Sequence, residues 1–318
     1  KIIGTGSALP AKIVTNEELA QMVETSDEWI RERTGIGSRH ISTGETVVSL
    51  AAQACRKALE NAGREAMDVE LLLVATCTPE QGIPCAACQV QNLLGATGAA
   101  AFDLNAACAG FLFALHTAWA YIQAGIYNNA LIVGSEVLSK IIDWTDRGTC
   151  VLFGDGAGAV LVERSGQPGI LGLAQHSDGA RGGVLQCNGR ELRNPYVFVP
   201  GQSHYVQMDG REVFAFAVRQ IPACISEVLG QTGIAPADVD LYVLHQANRR
   251  ILEGIAKRLD VEMDRFPTNL ERVGNMSSAA IPVLLDELNR EGRLREGMTL
   301  VLSGFGAGLT YGACVIKW

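Results

Sequence analysis

One cysteine set among small residues carries the sharpest chemistry in this chain. Cys108 lies in Asp103-Leu104-Asn105-Ala106-Ala107-Cys108-Ala109-Gly110-Phe111-Leu112-Phe113, where a turn gives way to a long apolar segment. From Cys108 to Gly125 there is no proline, Asp, Glu, Lys or Arg. That pattern predicts a helix buried on nearly all sides, with Gly125 closing it. Cys108 then falls in the first turn, where unpaired backbone N–H groups and the positive end of the helix dipole favour a thiolate. Ala106, Ala107, Ala109 and Gly110 leave room for a substrate to reach the sulfur. A buried, inert cysteine fits the same stretch, because free Cys packs as a small hydrophobe. Taken alone, the stretch leaves both readings open.

The elements that must position this residue read as an α/β chain. Lys1–Gly4 is strand-like, a polar helix spans Asn16–Glu24, and Thr25-Ser26-Asp27-Glu28-Trp29-Ile30 carries capping residues before another short helix. Thr46–Gly63 has helical periodicity and ends in glycine, Leu71–Ala75 is a buried strand, and helix resumes in Gln81–Leu94 after Pro84. Strands follow at Ala99–Leu104 and Ala130–Gly134, on either side of the Cys108 helix. Phe153-Gly154-Asp155-Gly156-Ala157-Gly158-Ala159 has the glycine spacing of a phosphate loop. No Lys-Ser/Thr follows, so a tight turn packed inside the fold is expected instead. Arg31, Arg33 and Arg39 lie near Trp29, either as a solvated face or as a seat for an anionic ligand stacked on the indole.

Composition narrows the classes. At 318 residues the chain can bury a large core, and 48% hydrophobic against 19% charged residues suits a compact enzyme. A net charge of −8 without a long basic run argues against nucleic acid as a partner. Nine cysteines, an odd number, point to reduced thiols and a cytoplasmic protein; Lys1–Gly6 reads as strand and turn, not as a signal peptide. The most apolar run, Ala106–Ile122, contains His116 and Thr117 and is short for a membrane span of about 20 residues, so no membrane is expected. Cys85-x-x-Cys88 has no second such pair, which weighs against zinc or redox chemistry.

The second half repeats the first. Gly63, Asp68, Val69 and Leu71 are matched by Gly233, Asp238, Val239 and Leu241, 170 positions apart (63 against 233). A repeat that long is a whole domain, here taken as 1–167 and 168–318, with the polar Glu163–Gly169 between. Two similar α/β halves packed together bring matching loops to one cleft. The loop around Cys108 falls opposite Gly274-Asn275-Met276-Ser277-Ser278, and strand Leu241–Leu244 delivers His245-Gln246-Ala247-Asn248 at its end. The final turn Ser303-Gly304-Phe305-Gly306-Ala307-Gly308 offers backbone N–H groups. A lone His245 is more often structural than catalytic; Cys, His and Asn at corresponding ends form a far more specific pattern.

With these residues in view, the whole chain resembles β-ketoacyl-acyl carrier protein synthase III, the initiating condensing enzyme of type II fatty acid synthesis. The resemblance is carried by Thr25–Trp29, Arg33-Thr34-Gly35-Ile36, Ala106–Phe111, Thr145-Asp146-Arg147-Gly148, Phe153–Gly158, His245-Gln246-Ala247-Asn248 and Gly274-Asn275. It implies a thiolase-like fold, an internally duplicated α/β unit in a five-layered α-β-α-β-α arrangement, and a homodimer. It implies that Cys108 takes the acyl group from acyl-CoA, that the amides of Cys108 and Gly306 form the oxyanion hole, and that His245 and Asn275 hold the malonyl-acyl carrier protein thioester during decarboxylation. A thiolase needs a second cysteine in the last glycine-rich turn, and elongating condensing enzymes use two histidines; neither pattern is met here.

The same resemblance assigns Trp29 and Arg147 to the two faces of the CoA adenine, Arg33 to its phosphates and Asn248 to the pantetheine arm. Arg250, Lys257 and Arg258 would dock the acidic carrier protein, although a solvated basic face fits them equally. No metal and no cofactor is implied, acyl-CoA being a substrate. Three positions depart from the family pattern: Met276 where threonine is usual, Ala215 where a basic residue is common, and Ile83 where phenylalanine often closes the partner subunit's acyl pocket. Ile83 is smaller, so primers larger than acetyl are expected, with Phe214 or Met208 of the same subunit able to refill the space. The rival readings are a related condensing enzyme that makes a polyketide or signal molecule, and a non-catalytic acyl-CoA-binding relative.

Overall fold

The computed structural model describes residues 1–200 and 203–318. Its first sheet has five strands, in the spatial order Ile2–Ala8, Gly156–Glu163, Asn129–Glu136, Leu71–Ala75, Ala100–Leu104. Its second has four, in the order Leu241–Leu244, Thr299–Gly306, Thr310–Lys317, Ile170–Ser177. The registers correspond: Leu72 pairs in parallel with Leu131 as Tyr242 does with Val301. The first sheet's edge strand Ala100–Leu104 has no strand counterpart, because the matching stretch of the second half forms the short helix Leu270–Val273.

Apolar periodicity builds the layers. Helix Val47–Ala62 is capped by Thr46, whose hydroxyl accepts the Ser49 amide at 3.0 Å, and is stopped by Gly63 at φ 62°. Its buried face, with that of Ala86–Leu94, covers the outside of the first sheet. Gly110–Gln123 and Ala280–Arg290 lie between the sheets, where Phe111, Leu112, Leu115, Leu284 and Leu285 pack against Leu71, Leu73, Val243, Leu300 and Leu302. Gly210–Thr232 and Arg249–Leu259 cover the outside of the second sheet. The result is α-β-α-β-α. Each large side chain sealed into the middle layer contributes about 1.5–3 kcal/mol. Gly210–Thr232 is long and apolar enough by composition to cross a membrane, but half of it is buried, with Phe216, Ile221, Ile225 and Leu229 in the core between this outer helix and the second sheet.

Local expectations shift in instructive places. The polar helix expected to Glu24 stops at Leu19, because the next side chains, Ala20, Gln21 and Met22, are exposed and bring nothing to bury. The helix after Pro84 begins at Ala86, its first amides taken by the Asp103 carboxylate at 2.7 and 2.8 Å. The glycine-rich stretch is no tight turn: from Gly156 it is a full strand. A Cβ on Gly158 would run into the backbone of Pro282 and Val283, so glycine there lets helix Ala280–Arg290 lie directly on the strand.

Candidate active site

The two halves deliver matching turns to one place. Asn105 Oδ1 accepts the Ala107 amide at 3.1 Å, and Asn275 Oδ1 accepts the Ser277 amide at 2.9 Å. Ala107 and Ser277 take left-handed φ values of 46° and 50°, and each opens a single 3-10 turn, Ala107–Ala109 or Ser277–Ala279, ahead of a central helix. Left-handed backbone at non-glycine residues is costly and clusters at functional sites. Cys108 therefore sits in a tight turn before the helix, which starts at Gly110, and not in its first α-turn. Two effects on the thiol oppose each other there. Burial pushes the Cys108 thiol up to about 12, the Ser277 hydroxyl and the Cys108 amide offset only part of that, and the Glu136 charge adds to the rise. Desolvation opposes the helix dipole here.

Cys108, His245, Asn275, Phe305 and Gly306 share the wall of one pocket of about 1280 Å³, larger than most small-ligand sites and continuous with Trp29, Arg33, Asn248 and Arg250. A Cβ on Gly306 would collide with the Cys108 amide and crowd Ala107, so this glycine lets two backbone segments close on the cysteine. His245 follows strand Leu241–Leu244, its amide donating to Ser303 at 2.8 Å and its ring edge-on to Phe305 at 5.5 Å. Burial holds its imidazole down to about 4, so it is neutral near pH 7. Its Nδ1 is buried without a partner. The neutral tautomer that leaves a lone pair there carries its proton on Nε2. Asn275 is fixed by its backbone: its amide donates to Leu152 at 2.9 Å and its carbonyl accepts from Gly154 at 3.0 Å. With Oδ1 taken by Ser277, Nδ2 is its free donor.

The outer pocket departs from simple expectation. The guanidinium carbons of Arg33 and Arg147 lie 4.6 and 4.8 Å from the Trp29 ring centroid, a spacing that leaves no third plane between Trp29 and Arg147. Arg147 also donates to the Glu24 carbonyl at 2.9 Å. Asn248 caps helix Arg249–Leu259 through the Arg250 amide and donates to the Arg33 carbonyl at 2.9 Å. Phe214 and Met208 line the pocket. Lys257 and Arg258 are exposed in the last turn of the same helix, outside it. Ile83 is 91% exposed and touches no part of this chain's own pocket. Ala215 is exposed, and Met276 is fully buried with Val273 and Val283. Cys85 and Cys88 lie 3.4 Å apart as free thiols.

Sequence reasoning missed the residues behind the nucleophile. Glu136, fully buried, ends strand Asn129–Glu136 and takes hydrogen bonds from Thr78 Oγ1 (2.6 Å), Ser278 Oγ (2.8 Å), Thr76 Oγ1 (3.1 Å), the Cys77 amide (3.1 Å) and Ser277 Oγ (3.2 Å). The Cys77 thiol lies 3.5 Å from both carboxyl oxygens. The repeat held the signal: Glu136 stands 170 positions before Gly306, at the equivalent strand end.

Comparison with known proteins gives the class. The chain superposes on 3-oxoacyl-[acyl-carrier-protein] synthase III from Aquifex aeolicus VF5 with a TM-score of 0.95 and 40% identity, over 100% of this chain and 99% of that one. It matches the priming β-ketosynthase of the R1128 polyketide biosynthetic pathway with a TM-score of 0.93 and 36% identity, over 100% and 95%. This is the thiolase fold, and its bearers here are condensing acyltransferases. Two family models, described as 3-oxoacyl-[acyl-carrier-protein (ACP)] synthase III and its C terminal, match residues 102–179 and 229–318. The β-ketoacyl-[acyl-carrier-protein] synthase III of Clostridium acetobutylicum is 48% identical over 100% of this chain and 98% of its own length; that of Synechococcus elongatus is 48% identical over 100% and 96%. The chain belongs to the β-ketoacyl-[acyl-carrier-protein] synthase III family. It is a condensing acyltransferase of fatty acid biosynthesis.

Proposed function

We propose that this chain joins an acyl-CoA primer to malonyl-acyl carrier protein by decarboxylative Claisen condensation, with Cys108, His245 and Asn275 as its catalytic residues. The observation that carries this is their convergence with Gly306 on one pocket. Cys108 sulfur attacks the primer thioester, CoA leaves as its thiol, and the acyl group stays on the enzyme. The amides of Cys108 and Gly306 stabilise the oxyanion. Malonyl thioester then enters, and the His245 Nε2–H and Asn275 Nδ2–H donate to its carbonyl oxygen. Loss of CO2 leaves an enolate that attacks the acyl-cysteine, forming the new carbon–carbon bond and expelling the cysteine thiolate. A neutral imidazole suits this step, because it donates to the enolate without quenching it by proton transfer. Decarboxylation supplies the carbanion, so the chemistry calls for no metal or redox cofactor.

Trp29 is the platform for the CoA adenine, which takes the place of the Arg147 guanidinium on the ring, while Arg33 reaches the phosphates and Asn248 borders the pantetheine arm. Arg250, Lys257 and Arg258 attract the acidic carrier protein. The half-buried edge strand Ala100–Leu104 and the exposed Ile83 suit a homodimer, in which Ile83 closes the partner's acyl pocket less fully than phenylalanine does. Cytoplasmic work on carrier-bound chains follows from this reading. Incubation with acetyl-CoA and intact mass measurement tests it: an acyl adduct forms on the native chain and is lost in Cys108→Ala. An adduct that survives the substitution refutes the nucleophile. The polyketide-priming relative at 36% identity keeps a second product class open. Rates with malonyl-CoA against malonyl-acyl carrier protein, and primer profiles of the native chain and Ile83→Phe, separate the two.

A further inference from the structure

Arg39 is fully buried, so it is neither a solvated cation nor a seat for a ligand stacked on Trp29. Among the described residues no carboxylate lies in ion-pair reach of it, and its Nε has no hydrogen-bond partner. A guanidinium so placed is costly, and stability alone is a poor reason to keep it. Its partners show what it holds.

Arg39 lies in the short strand Ser38–His40. Its Nη1 donates to Asn16 Oδ1 at 2.8 Å and to the Val14 carbonyl at 3.3 Å, and its Nη2 donates to the Val151 carbonyl at 2.8 Å. Asn16 is itself fixed, its Nδ2 donating to Asp27 Oδ1 and to the Ile36 carbonyl, both at 2.8 Å. The planar fork thus ties a firm corner of the first half to Val151. The residues that follow Val151 make the two backbone hydrogen bonds of Asn275, Leu152 as acceptor and Gly154 as donor. The stem takes part as well. A Cβ on Gly154 or on Gly274 would sit 3.2 Å from Arg39 Cβ, so both glycines let their segments close on it. The strand's other residues hold the same two segments: Ser38 Oγ donates to the Arg272 carbonyl at 3.0 Å, and the His40 carbonyl accepts the Asp155 amide at 2.8 Å.

We propose that Arg39 is a positioning residue for the condensation step: by anchoring the Val151 carbonyl it holds Leu152 and Gly154, and through them Asn275, in place for the incoming thioester. This rests on the reading of Asn275 as a donor to the malonyl thioester. Acylation depends on the Cys108 turn and Gly306, to which Arg39 makes no hydrogen bond, so the two half-reactions should respond differently. Burial pushes the guanidinium down to about 10, which still leaves it protonated near pH 7. Lysine would keep the charge, but a single ammonium cannot span Asn16 and Val151 as the fork does.

The test compares single-turnover acylation by acetyl-CoA with condensation of the acyl-enzyme in Arg39→Met, Arg39→Lys and Asn16→Ala, beside urea midpoints. Arg39→Met should lower condensation roughly a hundredfold, the scale of a reacting group misplaced by about 1 Å, while acylation stays near the native rate. Arg39→Lys should recover part of the loss, and it carries the test even where Arg39→Met fails to fold. Asn16→Ala removes one anchor of the fork and the ties to Asp27 and Ile36 but leaves Val151 held. It should lower the urea midpoint and leave the ratio of condensation to acylation native. In an Asn275→Ala background, Arg39→Lys should cost condensation nothing further, because the group it positions is gone. An unchanged ratio in both Arg39 variants, an equal fall in Asn16→Ala, or an additive loss with Asn275→Ala overturns the proposal. Condensation that survives Asn275→Ala alone overturns the role of Asn275 itself and is read from that single variant.

Discussion

Two turns meet in the pocket, one from each half, and their backbones are near copies. Each is closed by an asparagine accepting the amide two residues on, each passes through one left-handed residue, and each leads into a helix of the middle layer. Each also abuts the last residue of a strand from the other half: Gly306 against Ala107 and Cys108, Glu136 against Ser277 and Ser278. The side chains then part company. Where the first half has Ala75, Cys108 and Glu136, the second has His245, Ser278 and Gly306. At one crossing the missing Cβ leaves two amides and an open pocket; at the other a carboxyl fills the equivalent space and ties the hydroxyls down. A duplicated backbone thus yields one site, because each half has surrendered a different part of the chemistry.

The sharpest way to separate the two contributions is to remove the second half's donors. His245→Ala and Asn275→Ala should each lower condensation by about a thousandfold or more while Cys108 still takes up acetyl, read by single-turnover acylation beside product formation. Acylation lost as completely as condensation would merge the two roles. Next, Gly306→Ala places a methyl against the Cys108 amide. We expect acylation to fall roughly 10²–10³-fold, the scale of a lost oxyanion donor. Iodoacetamide labelling of Cys108, which builds no oxyanion, should change far less. Parallel losses in both would mean that the substitution merely displaces the nucleophile.

Acid stability offers a third comparison. His245 and His116 are both held from 6.5 down to about 4 by burial, so the unfolded chain binds their protons first as pH falls. Stability from each ring is present above about 6.5 and is lost as pH drops toward 4, by about 3 kcal/mol per ring. His116, on the central helix with both ring nitrogens unpartnered, is the control away from the chemistry. Urea midpoints measured from pH 7.5 to 4.5 should flatten in His116→Leu and in His245→Ala. An unchanged slope would show that these rings stay hydrated. The smallest effect concerns the outer helices. Arg249–Leu259 carries four cations, whereas Ala86–Leu94, in the corresponding place of the first half, carries none. Lys257→Glu should raise KM for malonyl-acyl carrier protein about fivefold and leave that for acyl-CoA alone, with rising salt mimicking the change. Equal effects on both would move the docking face elsewhere.

Much of this was written in the chain itself. The strand Leu71–Ala75, the helix between Thr46 and Gly63, and the 170-residue repeat follow from apolar periodicity and caps, which act within a few residues of chain and need no partner. The repeat also brings Cys108, Asn275 and the strand end at His245 to one cleft on symmetry alone. The ionisation of Cys108 depends on more than its local sequence. Its local signal is a helix start, which favours the thiolate, whereas burial by the surrounding layers opposes it. Glu136 was silent for the same reason: at the end of an apolar strand a glutamate looks like a surface residue, and its hydroxyl partners come from loops 58 and 142 positions away. Local pattern specifies which backbone forms, because propensity and capping are short-ranged. Charge and proton affinity are specified by what the whole fold excludes, and that is solvent.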